Sequence, residues 1–218
     1  MKHHVKLRKS VRKQLQKGNV EGTLIQSQPI WVRIFHWGFA FSLTLVILSG
    51  LQLHKPASFL ALNFSKVLTI HLISCWFALG FLGIRIADAL IRKDDSLIPK
   101  LQDLKHFPQL MAYYFFLRSS PPPGRKYNSG QLIIYTSWFV LFLVATLLGL
   151  ASYWEGEHLI WVWRLVGGFQ VIRWVKFIVS IYFLATIPVH IYLSITEDIS
   201  RLQAMVTGYE RKPTPNNR

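Results

Sequence analysis

The sequence predicts an all-α integral membrane protein, a bundle of four transmembrane helices. Of its 218 residues, 51% are hydrophobic, and the mean hydropathy is +0.30, too apolar for a water-soluble domain of this size. Four apolar runs are each long enough, at about 1.5 Å of rise per residue, to cross roughly 30 Å of hydrocarbon. The Lys and Arg residues are gathered almost entirely between those runs, where the positive-inside rule expects them.

Residues 1–29 read as a basic cytoplasmic tail, with seven Lys or Arg against the single acid Glu21. Leu7, Val11 and Leu15 recur every four residues, a pattern that suits an interfacial helix or a disordered arm equally. Helix I is expected over residues 30–53, with Trp31 and Trp37 as interface anchors and Pro56 just past its end. It carries Arg33 and His36 early and His54 at its far end. Helix II is expected over 67–91, with His71 near its start, Cys75 one turn on, and Arg85 and Asp88 near its end. The connection that follows contains an amphipathic piece over 97–117, the breaker SSPPPG and the polar run Lys126 to Gln131, an interfacial helix and a loop. Helix III, over 132–153, holds no ionisable side chain, and the Trp-rich connection after it, broken at Gly167-Gly168, is expected to lie at the interface. Helix IV, over 174–195, is interrupted from Phe177 onward only by Ser180, Thr186, His190 and Ser194. The membrane domain is thus 30–208, with 209–218 as a C-terminal tail.

Outside the helices, 18 Lys and Arg fall on one side of this topology and 5 on the other, which places both termini in the cytoplasm. The formal charge of +15 is accounted for in the same way, so nucleic-acid binding is not expected. One cysteine, Cys75, excludes an intramolecular disulfide, a Cys-based zinc site and a covalent C-x-x-C-H haem attachment. The first apolar run is too long for the core of a cleavable signal and has no evident cleavage site, so helix I is expected to stay as an anchor.

An imidazole in hydrocarbon is costly, so a partner inside the bundle is the default expectation for each intramembrane histidine. By this topology His36 and His190 share the cytoplasmic depth and His71 lies toward the outside. Two imidazoles from facing helices at one depth are what axial ligation of a haem iron requires; simple hydrogen bonding between helices is the alternative. His3, His4 and His106 lie outside the spans and read as surface residues. His54 is five helical turns from His36 and either shares its face or sits at a fraying helix end.

The chain resembles the b-type cytochrome subunits of membrane-bound nickel-iron hydrogenases and their relatives, including bacterial cytochrome b561 and the gamma subunit of respiratory formate dehydrogenases. The resemblance covers residues 29–208. It rests on Arg33-x-x-His36-Trp37 with Ser49-Gly50, on His71 with Arg85, on Lys126-Tyr127-Asn128-x-x-Gln131, and on His190 with Glu197-Asp198 and Gly208. It implies a four-helix bundle of the bacterial inner membrane with two stacked b haems, passing electrons between an externally facing redox subunit, such as a hydrogenase or other dehydrogenase, and quinone. It implies His36 and His190 as ligands of the cytoplasmic-side haem, and His71 with a second helix IV histidine for the outer one. That second position is Lys176 here, so the outer haem is left with His71 and Lys176, with His71 alone, with His54 or His158, or is absent. Arg33 and Arg85, toward the cytoplasmic side, would pair with haem propionates or snorkel to headgroups. Asn128, Gly130 and Gln131, at the same face, would line a quinone pocket or simply start helix III. A haem-poor anchor for a partner enzyme and a stand-alone quinone-linked oxidoreductase acting on a small donor such as superoxide are the alternative functions.

Overall fold

Four long helices carry the apolar runs, and each is long and apolar enough to cross a membrane. In the computed structural model, residues 22–54, 62–154, 157–196 and 199–213 are described. Strand β1 is Gly22–Gln26, followed by α1 (Ile30–His54), α2 (Phe64–Arg92), α3 (Leu101–Tyr114), α4 (Ser129–Tyr153), a 3₁₀ turn (Glu157–Leu159), α5 (Ile160–Val166), α6 (Phe169–Thr196), α7 (Ile199–Thr207) and β2 (Tyr209–Pro213). The four spans are α1, α2, α4 and α6.

The helix starts differ from the sequence expectation for a local reason. Helix α2 begins at Phe64 because the Asn63 side chain accepts the Lys66 amide at 2.9 Å, and α4 begins at Ser129 because Asn128 does the same for Gln131 at 2.8 Å. Helix α6 begins at Phe169, five residues before the expected 174, because Gly167 and Gly168, both at positive φ, end α5 and the chain re-enters a helix at once. Arg173 therefore lies inside the helix rather than ahead of it. The amphipathic piece is shorter than expected, running over Leu101–Tyr114.

Two units divide the chain, Ile34–Tyr192 and a terminal unit of Met1–Arg33 with Leu193–Arg218. In the larger unit, Leu43 and Ile47 of α1, Ala78 and Leu82 of α2, Phe142 of α4 and Val179 and Phe183 of α6 form one buried cluster, so all four spans share a core. A second cluster joins Leu148 and Ala151 of α4 to Val162 of α5 and Ile172 of α6, and Trp163 donates to the Ala151 carbonyl at 2.7 Å. The Trp-rich connection thus packs over the end of α4, and seven residues of α5 are too few to span. The spans turn large apolar side chains outward: Phe41, Trp76, Phe77 and Ile178 are 60–69% exposed, a surface that suits lipid.

The terminal unit corrects the all-α expectation. Strands β1 and β2 pair antiparallel with Thr23 opposite Lys212 and Gln26 opposite Tyr209, so the fold is mostly helical with a two-stranded ladder formed by residues 22–26 and 209–213, where the sequence predicts only tail segments. The pairing partner is over 180 residues away, which no local pattern reveals. Gly208 makes the junction: at φ 92° it ends α7, its amide donating to Ala204 O at 2.8 Å while its carbonyl accepts from Ser27 and Gln28 at 2.9 and 3.1 Å. A Cβ there would stand 3.3 Å from the Gln28 carbonyl. The basic segment with Leu7, Val11 and Leu15 lies outside the described residues.

Candidate functional site

Helix bounds set the depths of the polar side chains. His36 is six residues inside the start of α1 and His190 six inside the end of α6; His71 is seven inside the start of α2 and Lys176 seven inside the start of α6. At about 1.5 Å per residue, each lies roughly 9–11 Å from its helix end.

The rings of His36 and His190 approach with centroids 6.4 Å apart and planes at 55°. Metal–imidazole bonds of about 2 Å put the centroids of two rings on opposite sides of one metal roughly 6 Å apart. The observed separation fits. Among the described residues no group of three His, Cys, Asp or Glu comes together. The donor set at this level is therefore a pair of imidazoles, suited to a metal that brings its other ligands with it, as haem iron does. His36 Nδ1 is buried without a hydrogen-bond partner, a costly arrangement for a polar atom that serves no other purpose.

Helix α4 supplies what holds His190. The Tyr135 hydroxyl lies 3.3 Å from His190 Nδ1, and the rings of Tyr135 and Trp138 meet the imidazole edge-on at 5.6 and 5.5 Å. Trp138 Nε1 in turn donates to Thr186 Oγ1 at 2.8 Å, one turn before His190 on α6. These residues are absent from the sequence reading, which saw helix III as lacking ionisable groups. The signal available was the spacing Tyr135-x-x-Trp138, which puts both rings on one helix face.

At the other depth, Ser49 Oγ lies 2.9 Å from His71 Nδ1, and a Cβ on Gly50 would stand 3.3 Å from His71 Cε1. The pair Ser49-Gly50 thereby serves His71, one residue as hydrogen-bond partner and the other by leaving room. Lys176 Nζ donates to Ser152 Oγ of α4 at 3.3 Å and is an electrostatic neighbour of His71 and Cys75. His54 is stacked on Phe177 at 4.4 Å with Trp174 at its edge, and His158 is exposed in the 3₁₀ turn. Among the described residues, then, no second imidazole is recorded in contact with His71.

Arg85 and Arg33 have protein partners. Arg85 is buried, with Asp94 at 2.9 Å and Asp88 at 3.7 Å, so it does not snorkel. Arg33, in the terminal unit, donates to the Val206 carbonyl at the end of α7, a cation at a helix C-terminus. Asn128 and Gln131 form a reciprocal cap in which each side-chain oxygen accepts the other's backbone N–H, at 2.8 and 3.1 Å. Gly130 lets α3 approach α4, since a Cβ there would stand 3.0 Å from Leu110 Cδ2. Beside them Ser129 Oγ is buried without a hydrogen-bond partner, and Tyr127 lies edge-on to Tyr135 at 5.8 Å. Glu197 and Asp198 lie outside the described residues.

No protein of curated function matches the chain. A family model described as prokaryotic cytochrome b561 matches residues 27–208, taking in all four spans and the four histidines within them, His36, His54, His71 and His190. Two imidazoles facing one another between apolar helices, inside a match of that extent, leave one assignment: the chain belongs to the prokaryotic cytochrome b561 family, multi-pass membrane b-type cytochromes of electron transfer whose membership implies haem b.

Proposed function

We propose that this protein carries electrons between an externally facing redox partner, such as a hydrogenase or other dehydrogenase, and the quinone pool, with haem b held by His36 and His190 on the cytoplasmic side. The observation that carries the reading is the 6.4 Å approach of the two rings. When bound, haem supplies a one-electron donor and acceptor, and the protein supplies binding, orientation and electrostatics. His36 and His190 offer the two ring nitrogens, Tyr135 and Trp138 hold the His190 ring, and Phe35, Phe39, Phe142 and Phe183 pack nearby in the core, keeping water out. Replacing His36 or His190 with Ala should abolish the low-spin b spectrum, measured as pyridine haemochrome per polypeptide. Normal haem content in both variants would sink the assignment.

Quinone is proposed to exchange electrons beside this level, at Tyr127 to Gln131. The supporting features are the unpartnered Ser129 hydroxyl and the ring contact from Tyr127 through Tyr135 to His190. Asn128→Asp keeps a capping oxygen and removes the amide donor, so quinone turnover should fall severalfold while the haem stays chemically reducible. Unchanged turnover would count against the segment.

Lys176 favours a second reading for the outer level. Its ammonium is engaged by Ser152, and His71 stands without a second imidazole among the described residues. In that reading the outer level holds a haem on His71, with Lys176 or no protein ligand opposite, or holds none and serves as an anchor for the partner. The same haemochrome measurement separates these outcomes: two haems per chain, one of them lost in His71→Ala, assign the outer site, and one haem unaffected by that change removes it.

A further inference from the structure

We propose that Tyr135 is a positioning residue for the haem site, its phenol oxygen accepting the Nδ1 proton of His190, turning Nε2 toward His36 and making His190 the more electron-rich ligand, so that the reduction potential is lowered. The inference rests on the reading of His36 and His190 as the haem ligands.

The geometry has three parts. The Tyr135 oxygen is 3.3 Å from His190 Nδ1, within reach of a modest hydrogen bond. Tyr135 and Trp138, one turn apart on α4, each meet the imidazole nearly perpendicular, at 80° and 81°, so the ring cannot swing without displacing both. Trp138 is itself fixed to α6 through Thr186, whose hydroxyl bonds back to the Tyr182 carbonyl at 2.8 Å. The imidazole is thus oriented from a neighbouring span and from its own helix.

Chemistry sets the direction of the bond. A neutral imidazole that commits the lone pair of one nitrogen to a metal carries its proton on the other, so Nδ1 is the donor and the phenol oxygen the acceptor. Donating that proton raises the basicity of the ligand. His36 Nδ1 has no hydrogen-bond partner, so the two ligands are unequal. Greater electron density at His190 stabilises the oxidised iron relative to the reduced, and the potential falls.

The test is a spectroelectrochemical titration of the detergent-solubilised, haem-loaded protein. Tyr135→Phe keeps the ring and removes the acceptor: the low-spin spectrum should persist while the potential rises, by up to a tenfold change in the oxidised-to-reduced ratio, about 59 mV for one electron. Ser137→Ala is the control, because Ser137 lies on the same helix but bonds Tyr182 at 2.5 Å, and it should leave the potential in place. An unchanged potential in Tyr135→Phe, or an equal shift in Ser137→Ala, overturns the proposal. Failure of Tyr135→Phe to accumulate where Ser137→Ala does would make Tyr135 a packing residue and also overturn it. Loss of the spectrum in the His36 and His190 variants is independent of these outcomes, so failure here is distinguishable from failure of the ligand assignment.

Discussion

Arg85 is 6% exposed, and a guanidinium so deeply buried costs several kcal/mol unless it is paired. Asp94 and Asp88 supply the pairing, and Asp88 also accepts from Arg92 at 2.6 Å, so the end of α2 and the loop beyond form one charged cluster. Asp94 reports the balance. Burial works against its charge, but hydrogen bonds from Ser96 and Arg85 prevail and hold the carboxyl below its usual range. Asp103, at the start of α3, is held low chiefly by the Lys100 backbone N–H at 2.7 Å, with Arg125 at 2.7 Å adding to it. A carboxyl whose folded pKa is depressed stabilises the fold fully above its unfolded value, about 3.9 for Asp, and that contribution is lost as pH falls through the folded value. The start of α3 should therefore keep its amide protection down to about pH 4 and lose it below, read by hydrogen exchange over residues 95–105 in nanodiscs. Asp103→Asn should show weakened protection already at neutral pH and little further acid dependence; exchange identical to the parent protein would refute the role given to Asp103.

Among the elements, the four spans were legible from hydropathy and the positions of their caps were not. An apolar run ends at its last greasy residue, whereas a helix ends where a side chain or a glycine satisfies its open backbone groups, as Asn63, Asn128 and Gly167-Gly168 do here. Contacts between spans were equally hidden. A Cβ built on Gly38 of α1 would stand 2.4 Å from the Phe81 ring of α2, so these helices meet through a glycine that the sequence presents only as one more small residue. Gly38→Ala should cost about 1–3 kcal/mol, the usual range for overpacking. Thermal unfolding in detergent should show the loss, and Phe81→Leu in the same chain should recover part of it. A Gly38→Ala protein as stable as the parent would mean that the ring moves aside without cost.

At the scale of the whole chain, an even number of candidate spans and an antiparallel β1–β2 ladder fit the expectation that both ends lie on one side of the membrane. In the topology expected from the distribution of Lys and Arg, that side is the cytoplasm. Leu24 and Glu210 lie in the two strands, and single cysteines at these positions, in a Cys75→Ser background, should both resist a membrane-impermeant maleimide in intact spheroplasts and both react after permeabilisation. Reaction of only one before permeabilisation would break the ladder as a feature of the membrane-inserted protein.

By itself the sequence determined the four spans, their connecting cations and the equal depths of His36 and His190, because hydrophobicity, charge and helical rise act locally and along one axis. The lateral relations came only with tertiary structure. Which face each histidine turns inward, that Tyr135 and Trp138 of an otherwise featureless α4 clasp His190, and that Ser49 and Gly50 serve His71 are matters of rotation and distance between helices. Hydropathy is nearly the same on every face of such helices, since lipid and core are both apolar, so packing and a few polar contacts decide the rotation, and those exist only once the helices have met.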